Sequence, residues 1–365
     1  MAGRPEVRIA LFGMKGAGKT TLLASYFGNQ QRNAFEERHG YRLEAADAAQ
    51  GSLLLSRYYR LEGGDFPIGT DGFDSLRFGM KVHELPTPSL DVVWYDYPGG
   101  WWETAPSDEA ERSARREALK HLLDSHAAIL LVDSERYARE GITYARSLLD
   151  QFRAEIRRVT GELSALGQAP DFPDQWLIAF SKADLLGEGA TALTLAEQLR
   201  EGAADQLAGV QKAVGGKSSF GQEYLLLSAV RGDGRRVLDA HQSLGLTAIA
   251  PVVLLGALAR VAEQIGRGRV WGTLATTLEV LRNLTEVVDK LDDFLPPKYR
   301  VLTVLLKALR TKEGLTVSAE KLRQKQGAAA RRGKALDAAA YALRAELASP
   351  ETARAYFKTR LSSDD

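Results

Sequence analysis

Residues 7–20 read Val7-Arg8-Ile9-Ala10-Leu11-Phe12-Gly13-Met14-Lys15-Gly16-Ala17-Gly18-Lys19-Thr20. The run 7–12 is short, apolar and rich in β-formers, which predicts a buried strand. The next eight residues match G-x-x-x-x-G-K-[ST] in full. Helical character resumes at 20–27, so the motif lies between a strand and a helix. That setting gives the pattern physical meaning. Gly13, Gly16 and Gly18, with the small Ala17, let the backbone curl until successive N–H groups face one point. The following helix N-terminus adds positive potential at that point. Lys19 is expected on the β- and γ-phosphates of a nucleotide, and the Thr20 hydroxyl on Mg2+, with Thr21 beside it.

Outward from this loop, apolar strand candidates recur at 76–82, 90–95, 127–132, 176–180 and 224–227. Helical segments are expected at 109–123, 136–160 and 193–207. The stretch 28–74 shows no strand signal and helical character only over 43–60. Strands alternating with helices, most of them apolar throughout, predict an α/β fold with a mostly parallel sheet covered on both faces. After about residue 246 the strand signals stop, and helices are expected at 249–264, 271–294, 301–310 and 328–361. The expected division is therefore an α/β domain over 1–245 and an all-helical region over 246–365.

Three further motifs fall at strand ends. Asp96-Tyr97-Pro98-Gly99 closes the run 90–95, where Asp96 can hold Mg2+ and Gly99 can turn its N–H toward a γ-phosphate. Asp-x-Pro-Gly also favours a plain turn. Ser181-Lys182-Ala183-Asp184 follows the run 176–180, and Ser228-Ala229-Val230 follows 224–227.

Together these motifs resemble the translation-factor-like class of P-loop GTPases with a Ras-like core, over about residues 7–246. The segment 11–23 looks like the P-loop of Arf-type small GTPases, and 94–102 is similar to YcjX-type bacterial proteins. The resemblance implies a three-layer Ras-like sandwich that binds GTP or GDP with Mg2+. It implies that Asp184 reads the guanine N1–H and N2 amine, that the Lys182 stem packs over the base, and that Ser228, Ala229 and Val230 approach O6. Ser181 departs from the Asn or Thr usual at its position, and its shorter hydroxyl would tie that loop to the P-loop. The resemblance also calls for a switch threonine on Mg2+, for which Thr70 is the candidate.

Hydrolysis is where the match is incomplete. The residue after Gly99 is Gly100 rather than the glutamine that orients the attacking water in many such enzymes. Slow intrinsic turnover is expected, or a catalytic group from Lys15, Glu103, or an arginine of a partner protein or second protomer. A nucleotide-bound scaffold without turnover and a P-loop ATPase or small-molecule kinase remain as alternatives. Trp101 and Trp102 are expected to dock on the protein's own helices, or else to anchor a partner.

Composition narrows the rest. The 365 residues carry a formal net charge of +1, so no general attraction to nucleic acid is expected. There is no cysteine, which excludes disulfides, thiolate metal sites and thiol nucleophiles. The histidines (His39, His83, His121, His126, His241) have no metal-ligand spacing. No apolar run reaches a membrane span or a signal-peptide core, so a cytoplasmic protein is expected. The cluster Arg323, Lys325, Arg331, Arg332 and Lys334 reads as a solvated helix face, with lipid contact the lesser option.

Overall fold

The computed structural model describes residues 6–69, 72–82, 88, 90–102, 104–187, 189–216, 218–250, 252–254 and 355–359. β1 (Glu6–Phe12) leads through the glycine loop into α1 (Lys19–Gln30). Then come α2 (Asn33–His39), β2 (Tyr41–Ala45), α3 (Ala48–Glu62), β3 (Asp74–Val82) and β4 (Leu90–Asp96). A 3-10 turn, Gly99–Trp102, precedes α4 (Glu109–Leu123) and β5 (Ala127–Asp133). The chain continues through α5 (Ser134–Glu140), α6 (Ile142–Ala165), β6 (Gln175–Ser181), α7 (Ala192–Gly202), α8 (Ala204–Ala213) and β7 (Glu223–Leu227). A small hairpin, β8 (Arg231–Gly232) with β9 (Val237–Asp239), and an edge strand, β10 (Tyr356–Lys358), complete the described elements.

The main sheet has the order β10-β7-β6-β5-β1-β4-β3-β2. β7, β6, β5, β1 and β4 are parallel. β3, β2 and β10 run antiparallel to their neighbours at the two edges. Every residue of β5, β6 and β7 is buried, which is why these runs are apolar on both alternating faces. The layering is α/β and compatible with a Ras-like fold. Its core is rich in aromatics: Phe12 packs on Phe152 and Trp176 at centroid distances of 5.2 and 5.5 Å, and Trp176 on Phe220 at 5.4 Å. The buried face of α6 (Leu148, Leu149, Phe152, Ile156, Val159 and Leu163) supplies one wall.

From β1 the chain crosses to β2 at one edge and returns through β3 and β4, whereas from β5 it steps the other way, to β6 and then β7. The strand order therefore reverses between β1 and β5, and the crevice beyond the strands' carboxyl ends opens there.

Several local expectations are corrected. The stretch 28–74 does hold a strand, β2, whose Tyr41 and Leu43 are buried while Arg42 and Glu44 are half-buried. Five residues give too short an alternation to stand out, and the strand exists by pairing with β3. The helix expected over 136–160 is two helices broken at Gly141, whose φ of 62° and ψ of −148° belong to glycine alone. The helix expected over 193–207 breaks at Ala203, where φ is −136°. Within the span 328–361 expected as helix, Tyr356–Lys358 is extended and pairs with β7. Tertiary pairing outweighs helix propensity for so short a segment. Residues 249, 250 and 252–254 are helical and pack into the main core. The helices expected at 271–294 and 301–310, and the basic cluster at 323–334, lie outside the described residues.

Candidate functional site

The glycine loop sits at the switch point. Gly16 and Gly18 adopt φ of 82° and 88°, left-handed values that side chains disfavour. Gly13 lies so close to β5 that an added Cβ would stand 3.1 Å from that of Leu131. Lys19 is only 7% exposed, and its ammonium donates to the Gly13 carbonyl at 2.6 Å and to that of Met14 at 3.4 Å. Lys15 is exposed on the rim.

The turn after β4 lies against this loop. The Tyr97 hydroxyl accepts the Gly13 N–H at 3.2 Å, and Asp96, 2% exposed, accepts the Tyr97 N–H at 2.9 Å. A Cβ on Gly99 would fall 2.5 Å from the Lys15 nitrogen and 2.6 Å from the Met14 carbonyl carbon. Only a glycine permits that backbone-on-backbone approach. Trp101 stacks on Tyr97 with centroids 6.3 Å apart and packs at the edge of the main core. It therefore docks on the protein itself. The Trp102 side chain, Glu103 and Thr70 lie outside the described residues.

At the other end of the crevice, Asp184 follows β6. Its Oδ1 accepts the Ser228 hydroxyl at 2.6 Å, and its Oδ2 accepts the Gly232 N–H of the small hairpin at 2.7 Å. Lys182 holds a left-handed backbone, φ 53°, a conformation that costs a residue with a Cβ about 1 kcal/mol. Its ammonium reaches Asp133 and Glu135, each at 2.9 Å. Burial pulls this ammonium's pKa down, but those hydrogen bonds and charges outweigh burial and hold it above the usual lysine value. The Ser181 hydroxyl donates to the Val132 carbonyl at 3.3 Å. It thus ties its loop to β5, where a tie to the P-loop was expected. The link between the helix after the glycine loop and the 228–230 loop is made elsewhere: Ser25 of α1 donates to the Ala229 carbonyl at 2.6 Å.

One cleft of about 680 Å³ joins these groups. Lys15, Gly16, Ala17, Gly18, Lys19, Thr20, Thr21, Gly99, Ser181, Lys182, Asp184, Ser228, Ala229 and Val230 all line it. That volume suits a ligand of nucleotide size. Phe66, Pro67, Ile68 and Gly69, just before Thr70, line the same cleft, as do Tyr97, Gly100 and Gly232. Sequence reasoning did not single out Tyr97, Phe66, Ser25, Asp133 or Gly232. The Asp133-Ser-Glu signature of a helix N-cap was readable, since Asp133 caps α5 by accepting the Glu135 N–H at 3.0 Å. The remaining contacts are long-range and leave no local signal.

The donor chemistry at the loop fits a hard divalent cation. Thr20, which lines the cleft, offers an oxygen ligand, whereas Asp96, 2% exposed, is not among the residues that line it. Among the described residues no three His, Cys, Asp or Glu side chains cluster as a metal cage. Mg2+ is characteristically bound this way, by one or two protein oxygens plus phosphate and water.

No protein-family model matches the chain, and no curated protein matches it. Among solved structures it is similar to a bacterial selenocysteine-specific elongation factor, EF-Sec, at 16% identity and a TM-score of 0.29. The match covers 63% of this chain and 27% of the other, so the chain spans about a quarter of that protein's length. A likeness this loose carries no functional weight.

Proposed function

We propose that this chain binds guanosine triphosphate with Mg2+ in the cleft and hydrolyses it slowly, as a switch whose states differ around residues 64–70 and 96–102. The observation that carries the proposal is that Lys19 and Asp184, far apart in sequence, line one nucleotide-sized cleft at the sheet's switch point.

The chain's own groups have separable tasks. The 13–20 amides and Lys19 hold the phosphates. Asp184 accepts from the base edge. A carboxylate has about four acceptor sites, so the donors from Ser228 and Gly232 orient Asp184 while leaving it acceptor capacity. Adenine offers no matching pair of donors, so the acceptor sites of Asp184 that Ser228 and Gly232 leave open would go unfilled, which disfavours ATP. Gly99, pressed on Lys15, is where the arrival of a γ-phosphate is sensed. Thr20 and, in one state, Thr70 would hold Mg2+, which would neutralise charge developing on the phosphates.

Turnover is slow because Gly100 brings no side chain to the cleft. Lys15 on the rim, Glu103, or a residue of a protein partner would supply the missing group. The same glycine favours a second reading, a nucleotide-bound scaffold that does not turn over.

Titration with GTP, GDP and ATP, beside an Asp184→Asn variant, tests the assignment. GTP is expected to bind at least tenfold tighter than ATP. The variant should lose about tenfold or more for GTP, the scale of one hydrogen bond to a charged group, with ATP unchanged. Equal affinity for GTP and ATP in the unaltered protein would refute guanine recognition. Phosphate release, measured with and without added partners, separates switch from scaffold.

A further inference from the structure

Four side chains form a column behind the phosphate loop. The Lys19 ammonium stands 5.0 Å from the Tyr97 ring centroid. Tyr97 stacks on Trp101 at 6.3 Å with an interplanar angle of 30°. The Arg115 guanidinium stands 5.5 Å from the Trp101 ring. Cations thus close both ends of an aromatic pair. Each end is held independently. The Tyr97 hydroxyl takes the Gly13 N–H, while Arg115, 5% exposed, donates to the carbonyls of Trp101 at 3.1 Å and Thr104 at 2.6 Å and pairs with Glu111.

A ring face attracts a cation through its quadrupole, and the attraction grows when both are desolvated. Tyr97 is 1% exposed and Lys19 is 7% exposed, so this contact is a dry one. Tyr97 acts on the lysine twice. Its ring faces the ammonium, and its hydroxyl fixes Gly13, whose carbonyl that ammonium also meets.

We propose that Tyr97, backed by Trp101 and Arg115, is a positioning residue that sets the Lys19 ammonium for the phosphates and ties their occupancy to the 99–102 turn and α4. The proposal rests on the reading of the cleft as a triphosphate site. Coupling of this kind is reciprocal: what the column adds to phosphate affinity, phosphate returns as order in the turn. A general loss of fold would weaken every ligand alike. Loss of the column weakens ligands in proportion to the phosphates that Lys19 meets.

The test is a titration of the full chain with a non-hydrolysable GTP analogue, GDP and guanosine. Tyr97→Leu is expected to lose about tenfold for the analogue, the scale of a desolvated cation–ring contact, and less for GDP, with guanosine unchanged. Tyr97→Phe keeps the ring and should stay within about threefold of the parent. An equal loss for all three ligands, no loss at all, or a Phe variant as weak as the Leu variant overturns the proposal. Should Tyr97→Leu fail to fold, Trp101→Leu, at a half-buried position, decides by the same graded criterion. If the unaltered protein binds no triphosphate, the reading of the cleft falls instead.

Discussion

Gly99 shows how much one missing methyl group can specify. Its backbone lies directly on that of Met14 and Lys15, and an added Cβ at 2.5 Å has only main chain to displace. Overpacking of this kind typically costs 1–3 kcal/mol. Here the strain falls on the glycine loop rather than on the core. Gly99→Ala is therefore expected to weaken a triphosphate analogue by about tenfold or more while thermal unfolding shifts little. Titration and a melting curve on one sample check both halves. The glycine was visible in the sequence as the end of D-x-x-G, and its approach to Lys15 was not. Lys19 and Thr20 were readable in the same way, by spacing. The partners of Asp184 were not, because Gly232 lies 48 positions away.

At the scale of elements, helix contacts decide matters that propensity alone gets wrong. Gly28 sits within α1, where alanine is favoured by about 1 kcal/mol. Yet its Cβ would stand 2.1 Å from the Tyr58 ring of α3, inside that side chain. Separating two packed helices outweighs the propensity gain, so Gly28→Ala should destabilise by about 1–3 kcal/mol. Adding Tyr58→Leu should recover part of the loss in a denaturant titration.

The start of α4 makes a different prediction. The Ser107 hydroxyl and N–H, and then Arg115, hold the Glu111 carboxyl down from 4.5 to about 2. A carboxylate depressed by folding stabilises above its unfolded value. Its contribution is whole above pH 4.5 and is lost as pH falls toward about 2. Glu111→Gln should flatten that part of the acid limb of the stability profile, as measured by urea melts between those pH values. The same variant loosens Arg115 from below, while the guanidinium's bonds to Trp101 and Thr104 remain.

Across the whole molecule, residues 355–359 return to the far edge of the sheet and are anchored there by charge. Lys358 meets Glu223 at 3.0 Å, and Glu223 is 1% exposed. Gln175 donates both to Glu223, at 3.1 Å, and to the Val252 carbonyl, at 2.8 Å. This network joins β6, β7 and β10 to the helical turn at 252–254. Lys358 is 18% exposed and Gln175 still donates to Glu223 when Lys358 is removed, so the loss is that of one charge-assisted hydrogen bond, about 1.5–3 kcal/mol. Lys358→Ala should lower stability by that order, and Lys358→Ala combined with Glu223→Gln should recover much of it. Chemical denaturation of both variants checks the prediction.

What the sequence by itself determined is whatever depends on neighbours along the chain. The glycine loop, its flanking strand and helix, and the buried parallel strands are local patterns of spacing and apolarity. The short strands β2 and β10, the hairpin that donates to Asp184, the breaks at Gly141 and Ala203, and the Lys19–Tyr97–Trp101–Arg115 column were decided only by tertiary structure. Each exists because two distant segments meet, and a five-residue alternation or a lone tyrosine carries too little local free energy to announce that meeting beforehand.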